Sequence, residues 1–105
     1  MSRILTASRA TVTPERREAY LAAISALAER LAARGQQFWV FEQRDAPGEF
    51  LEFAEGSDDA SHRAAGPHGP EEAELEAQLQ QLAQYQGDRN LRWDAVPLSS
   101  ADGEG

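Results

Sequence analysis

Two histidines and two glutamates are the first candidates for chemistry in this 105-residue chain. Because His62 and His68 are its only side chains of the type that titrates near neutral pH, either is a candidate general base. Glu42 and Glu52 flank a predicted turn, and they would share a proton if their strands brought the two carboxyl groups together. Cysteine and lysine are absent, so thiolate nucleophiles, thiolate metal sites and Schiff-base chemistry are excluded.

Each of these groups also has a structural interpretation. Glu42 and Glu52 fit a solvated sheet rim, or ion pairs with Arg44 or Arg92. The histidines fit an exposed loop or the mouth of a cavity, and they lack the i, i+4 spacing of a helical metal site. We therefore expect no metal and no cofactor.

Aromatic residues form a second group of candidates, because they fall in two neighbouring strands. They are Phe38, Trp39, Phe41, Phe50 and Phe53, joined by Trp93 of the last strand. Such residues most often build a core, but they could also form a flat slot for a small aromatic ligand. The predicted ligand-binding residues are Trp39, Phe38, Phe50, Glu42, Glu52 and Arg44.

The composition excludes several classes of partner. Ten basic residues against eighteen acidic ones give a formal net charge of −8, which disfavours nucleic acid and an anionic membrane surface. No segment approaches the roughly 20 apolar residues of a membrane span. The first residues lack the apolar run of a signal peptide, so a cytoplasmic protein is expected.

The elements that must position these residues follow the order β-α-β-β-α-β. This order predicts a ferredoxin-like α+β fold, in which two helices cover one face of a four-stranded antiparallel sheet. Tyr20 and Tyr85 are expected in the helical stripes, within the core. The predicted ranges are strands over 3–12, 37–44, 49–55 and 91–96, helices over 13–35 and 70–87, a brief helical turn within 57–66, a single domain over 1–98 and a disordered acidic tail over 99–105.

The hairpin of the second and third strands carries large apolar groups on both faces. A three-residue loop that ends at Gly48 predicts a register with Phe41 opposite Phe53 and Glu42 opposite Glu52. Two helices can cover only one of the faces, so a second copy of the chain is expected to bury the other. The face that carries Phe50 is taken as the one between the two copies.

The segment from the second strand to the second histidine resembles a known family. It reads Phe38-Trp39-Val40-Phe41-Glu42, then Phe50-Leu51-Glu52-Phe53-Ala54-Glu55, then Ser57-Asp58-Asp59-Ala60-Ser61-His62-Arg63-Ala64-Ala65-Gly66-Pro67-His68. This order is similar to the antibiotic-biosynthesis-monooxygenase-like group of dimeric α/β barrels, in which a strand and an acidic turn precede A-x-H-x-x-S-x-H. His62 and His68 match the two histidines at a spacing one residue longer, and Gly69 stands where an aromatic often follows.

The resemblance implies a homodimer whose two sheets face each other and close a barrel. It also implies a pocket between each sheet and its helices, or at the barrel mouth. Some relatives oxidise quinol-like or polyketide aromatics with O₂ and without metal or flavin, whereas others degrade haem or isomerise lactones. Haem degradation is disfavoured here, because its Asn–Trp–His set is not evident and the only asparagine is Asn90.

We therefore expect a cofactor-independent monooxygenase-like protein that acts on a small aromatic or quinol. In this interpretation His62 or His68 orients or deprotonates a phenolic hydroxyl, Trp39 stacks on the ring, and Arg92 or Arg44 stabilises enolate charge. The alternative is a non-catalytic, small-ligand-binding or stress-related dimeric barrel. A closed cavity with a histidine pointing into it would favour the enzyme.

Overall fold

The computed structural model describes residues 3–87 and 91–98 and has the predicted α+β fold. The predicted tail over 99–105 lies outside the described residues. Within the described ranges, no helix is long and apolar enough to cross a membrane. The elements are β1 (Ile4–Thr11), α1 (Arg17–Ala33), β2 (Gln37–Glu42), β3 (Glu49–Gly56), α2 (Pro70–Leu82), β4 (Gln84–Gln86) and β5 (Trp93–Asp94), with short 3₁₀ turns at Pro14–Arg16 and Arg63–Ala65.

The antiparallel sheet has the order β2-β3-β1-β4, and β5 also pairs with β1. The strand predicted at 91–96 is shortened to β5, and β4, which lies within the predicted second helix, pairs with the same edge of β1. β4 pairs with the end of β1 at Arg9–Thr11, and β5 pairs with the other end at Ile4 and Leu5. Together they close the ferredoxin-like order.

The prediction that the second helix runs to Gly87 is wrong. α2 ends at Leu82, Ala83 is extended, and Tyr85 lies on β4 rather than on a helical stripe. The spacing of apolar residues at 75, 79 and 82 continues to 85, so periodicity favoured more helix there. The backbone at 84–86 instead pairs with the edge of β1, which would otherwise be left without partners.

The hairpin register differs from the predicted one by two residues. Phe41 lies opposite Leu51, and Val40 lies opposite Glu52. The loop is longer than predicted because Gly48 is held on both sides: its N–H donates to Glu42 Oε2 at 2.9 Å, and its carbonyl accepts the Val12 N–H at 2.8 Å. A shift of two residues leaves unchanged which side chains share a face of the hairpin.

Glycine is required at position 48. Its φ of +94° lies in the left-handed region, as expected for this loop. A Cβ there would also lie 2.6 Å from the carbonyl oxygen of Val12. The close approach ties the hairpin loop to the end of β1.

The assignment of the two sheet faces is inverted relative to the prediction. Phe50 is buried under the helices, with its ring 4.8 Å from that of Tyr20 on α1. Trp39 and Phe41 lie on the opposite face and are 41% and 57% exposed. We call that face the open face. It carries Leu5, Trp39, Phe41, Leu51, Phe53 and Trp93.

The first helix buries the stripe that its sequence predicts. Tyr20, Ile24, Leu27 and Leu31 recur at spacings of four, three and four, and all are buried. Leu79 of α2 joins them in one core cluster. The two helices thus form a single layer on one face of the sheet, and no helix among residues 3–87 and 91–98 lies over the open face.

Candidate functional site

A buried carboxylate lies in the layer between sheet and helices. Glu52, in the middle of β3, has a fully buried side chain, yet three donors reach it. The hydroxyls of Tyr20 and Tyr85 donate to its Oε2 at 2.6 and 2.7 Å, and Arg63 donates to its Oε1 at 2.8 Å. We call Tyr20, Glu52, Arg63, Tyr85 and the adjoining Glu76 the carboxylate cluster.

Arg63 links the inner carboxylate of the cluster to the outer one. Its Nε and its second amino group donate to the two oxygens of Glu76 at 2.8 and 2.9 Å. Its guanidinium also lies 5.3 Å from the ring centroid of Phe38. Burial alone would lower the pKa of Arg63, but the hydrogen bonds to Glu76 and the charge of Glu52 outweigh burial and raise it. The guanidinium therefore stays charged.

The cluster keeps the phenol of Tyr20 protonated. Burial, and then the charge of Glu52, raise the pKa of Tyr20 far above its ordinary value. A hydroxyl beside Glu52 is thus a stable donor. Two carboxylates and one guanidinium thus lie together in the cluster. Replacing such a set by apolar side chains often stabilises a protein, so its presence in a core is a reason to look for function.

His62 is buried, and backbone groups occupy both of its ring nitrogens. Nδ1 accepts from the Ala64 N–H at 3.1 Å, and Nε2 lies 3.1 Å from the Ala54 carbonyl. Because a carbonyl only accepts, Nε2 carries the proton and Nδ1 is the acceptor. His62 caps the 3₁₀ turn that holds Arg63, so the structure gives it a positioning role.

His68 and Arg92 lie away from the carboxylate cluster, at the loop that follows β3. His68 Nε2 is 3.3 Å from the Ala60 carbonyl, and its backbone N–H donates to Glu72. Arg92 Nε forms an ion pair with Asp59 at 2.6 Å. Two of the three predicted catalytic residues thus contact adjacent positions of one exposed loop, and the third, His62, does not join them.

Glu42 and Glu52 do not share a proton, although they lie on the same face. Glu42 accepts from Arg17 at 2.6 Å and from the Gly48 N–H, and these hydrogen bonds lower its pKa. Neither glutamate pairs with the predicted partners, because Arg44 lies exposed in the hairpin loop and Arg92 pairs with Asp59. The eight residues of β3 span about 23 Å, so the hairpin end and the far loop cannot meet in one small site.

The predicted aromatic slot is divided between the two faces. Phe38 and Phe50 lie under the helices beside Glu52, so the structure brings together three of the predicted ligand-binding residues. Trp39 lies on the open face, where Phe41 and Phe53 pack edge to face with their centroids 5.8 Å apart. An aromatic ligand stacked on Trp39 would therefore lie on the open face and not under the helices.

Sequence reasoning missed four members of the cluster. Tyr20 and Tyr85 were expected as ordinary core, and Arg63 and Glu76 were not singled out. One observation pointed to them: Glu52 alternates with Phe50 and Ala54 on one face of a central strand, so its carboxylate had to be buried and needed donors. Those donors come from a helix, an edge strand and a loop, which spacing along β3 cannot reveal.

The surface also carries a cleft outside the carboxylate cluster. It has a volume of about 310 Å³, lies at the hairpin end, and is lined among others by Arg9, Phe41, Phe50 and Leu51 but by no member of the cluster. Among the residues that the structure describes, no three histidine or acidic side chains gather as a metal ion would require.

No family model matches the chain. No curated protein matches it either. Solved structures do: a conserved protein from Bacteroides thetaiotaomicron superposes with a TM-score of 0.74 at 18% identity, over 90% of this chain and 98% of its own. SnoaB, a cofactor-independent oxygenase from Streptomyces nogalater, gives 0.70 at 14% identity over 90% and 92%. A protein from Chloroflexus aurantiacus named as an antibiotic biosynthesis monooxygenase gives 0.66 at 18% over 93% and 94%.

The chain has the antibiotic biosynthesis monooxygenase fold. The resemblance that the sequence suggested is thereby confirmed at the level of the fold. With identities between 14% and 18% for these structures, the reaction has to be argued from the site. In this fold the carboxylate cluster occupies one of the two places where the resemblance implies a pocket, the layer between sheet and helices.

Proposed function

We propose that the chain forms a homodimeric α/β barrel that oxygenates a small aromatic or quinol substrate with O₂, without metal or flavin. The observation that carries the proposal is the carboxylate cluster. It sets a buried acceptor, Glu52, beside the aromatic rings of Phe38 and Phe50. A hydroxylated ring needs such a combination, with apolar faces to pack on and one oriented partner for its hydroxyl.

The reaction requires few protein groups, because the substrate supplies the electrons that reduce O₂. In an anthrone-like ring the CH₂ carbon becomes a carbonyl: one oxygen atom of O₂ enters that carbon and the other leaves as water. The hydroxyl of the substrate, in its phenol or enol form, gives its proton to Glu52 as electrons pass to O₂, and Glu52 returns that proton to the peroxide from which water leaves. Arg63 holds the other oxygen of Glu52 and keeps the carboxylate oriented. A positioned acceptor and a dry pocket are the protein's contributions.

Glu52 takes the role that the sequence suggested for a histidine. Both ring nitrogens of His62 are engaged by the backbone, and His68 lies at the exposed loop. The proposal therefore gives His62 the task of holding the turn of Arg63, and gives His68 and Arg92 no chemical step.

The open face supports the homodimer. Trp39, Phe41 and Leu51 expose between 41% and 57% of their surface there. Ion pairs flank this apolar centre at both ends: Arg9 with Glu49 and Arg3 with Glu55. An apolar centre with a charged rim is the usual anatomy of an interface, and about 800 Å² from each copy is the usual size.

A second candidate is a ligand-binding barrel that performs no reaction. The observation in its favour is that every donor to Glu52 comes from the chain itself, so the cluster is complete without a substrate. Such a cluster could bind a hydroxylated ring by exchange and release it unchanged.

Oxygen uptake tests the proposal. The purified protein, without added metal or flavin, is expected to consume O₂ with an anthrone or a hydroquinone. Glu52→Gln is expected to lower the rate by about 10²- to 10⁴-fold, the usual contribution of a positioned acid–base group. Glu74→Gln, on the exposed side of α2, is the matched control and should keep the full rate.

Three outcomes decide between the candidates. Full activity of Glu52→Gln together with an inactive His68→Ala would overturn the assignment and move the site to the exposed loop. Substrate binding without O₂ uptake would favour the ligand-binding barrel. Uptake that depends on Glu52 and not on His68 supports the proposal.

A further inference from the structure

The two phenols that donate to Glu52 are held very differently. Tyr20 is fully buried on the long helix α1, and its ring packs against Phe50. Tyr85 is partly exposed and lies on β4, a strand of three residues that pairs only with the end of β1. Of the three donors to Glu52, Tyr85 is the one on the shortest and least embedded element.

The hydrogen bonds at Oε2 of Glu52 leave no lone pair for a further hydroxyl. Oε2 already accepts from both Tyr20 and Tyr85, which fills its two lone pairs. A ligand hydroxyl that binds Oε2 must therefore replace one of these donors. Replacing one phenol by another keeps the buried carboxylate satisfied, so the exchange leaves no charge without a partner.

We propose that Tyr85 occupies the ligand's position in the free protein, and that the ligand is a neutral hydroxyarene that displaces the Tyr85 ring and takes over its hydrogen bond to Glu52. This inference rests on the proposed function only in its choice of site. It names the step by which the site opens and the class of molecule that it accepts.

The charge of the site restricts the ligand. Glu52 and Arg63 are both buried, and the carboxylate of Glu52 would face any group that takes the place of the Tyr85 hydroxyl. A ring with a carboxylate or sulfonate would bring a second anion into this layer, close to Glu52. The raised pKa of Tyr20 shows the same preference, because a hydroxyl beside Glu52 keeps its proton. Phenols and quinols fit, whereas aromatic acids do not.

Calorimetric titration with p-cresol tests the displacement, since p-cresol has the shape of the tyrosine side chain. Tyr85→Ala removes the ring that must leave, so it is expected to bind p-cresol at least tenfold more tightly than the unaltered protein. Tyr85→Phe keeps the ring but loses the hydrogen bond, and an intermediate affinity is expected. Gln84→Ala, an exposed neighbour on the same strand, should bind as the unaltered protein does.

The same titrations with 4-hydroxybenzoate test the charge selection, with at least tenfold weaker binding expected for every variant. Equal affinity of the unaltered protein and both Tyr85 variants for p-cresol would overturn the displacement. Equal binding of p-cresol and 4-hydroxybenzoate would overturn the selection. Should Tyr85→Ala fail to fold, Tyr85→Phe decides alone. These measurements need no O₂, so displacement without oxygen uptake would refute only the proposed reaction.

Discussion

Each face of the sheet carries residues that depart from the usual distribution of polarity. Under the helices, beside apolar residues such as Phe50, the sheet buries Thr6, Ser8 and the charged Glu52, each at most 4% exposed. The open face presents Trp39 and Phe41 to the surroundings. A monomeric sheet with one face in water is expected to be apolar on the covered face and polar on the other. The comparison teaches that neither face is explained by the stability of one copy alone.

Each face therefore requires its own explanation. The carboxylate of Glu52 is acceptable in the core because three donors surround it, and such an arrangement is costly enough to suggest a purpose. The apolar open face needs a cover, which the proposed second copy provides. Two glutamates on the helix-covered face sharpen the contrast: Glu42 pairs with Arg17 at the hairpin end, whereas Glu52 is sealed inside.

A charge on either face gives the largest expected effect. Phe50→Asp places an unpaired carboxylate against Tyr20 in the core, and we expect a loss of about 4 kcal/mol or more and no folded protein. Phe41→Asp should leave the fold intact and dissociate the dimer, since Phe41 lies on the open face. Light scattering and circular dichroism measure both outcomes.

The control for these variants is Ala73→Asp, on the exposed side of α2. It should remain folded and dimeric. A Phe41→Asp variant that stays dimeric would show that the open face is not the contact between copies. The exposed aromatic residues of that face would then need another explanation.

Glu52→Gln gives the next largest effect, now on stability. Removing one charge of a buried pair leaves Arg63 with only Glu76, and we expect the free energy of unfolding to fall by about 3 kcal/mol. Glu49→Gln, on the same strand but on the open face, should change it by less than about 1 kcal/mol. Equal losses of unfolding free energy for the two variants in urea denaturation would mean that the hydrogen bonds of Glu52 do not stabilise the core.

Much of the fold was predictable, because period-2 alternation and helical stripes are local. The stripe from Tyr20 to Leu31 is one such pattern. The choice of covered face was not predictable, since both faces of the β2–β3 hairpin are apolar and local pattern carries no preference. β4 was missed for a related reason: the apolar spacing of α2 continues to Tyr85, and only the β1 edge decides against helix. The donors to Glu52 are 11, 32 and 33 residues away.

The alkaline titration of the two tyrosines sharpens the account of the covered face. The pKa of Tyr20 is raised above its ordinary value of about 10. The folded state therefore holds a proton that the unfolded state releases, so this contribution to stability is complete below pH 10 and is lost as pH rises further. Ultraviolet absorbance should show fewer than two phenolates while the protein remains folded near pH 11. Two phenolates in the folded protein at that pH would contradict the cluster geometry.

The dependence of stability on acid pH is the smallest expected effect. The hydrogen bonds from Arg17 and the Gly48 N–H lower the pKa of Glu42 from its model-compound value of 4.5. The folded state therefore favours the charged form, and this stability is present above pH 4.5 and lost as pH falls below it. Thermal melts of Glu42→Gln should show a weaker dependence on pH in this window than melts of the unaltered protein. An unchanged pH dependence would show that the charged form of Glu42 does not stabilise the hairpin loop.

The most direct test of the central claim is a crystal structure of the protein with bound hydroquinone. We predict that the ring lies between Phe38 and Phe50, that one hydroxyl donates to Glu52 in the place of Tyr85, and that the open faces of two copies meet. A ring bound on the open face beside Trp39, with the hydrogen bonds of Tyr20 and Tyr85 to Glu52 unchanged, would contradict the account.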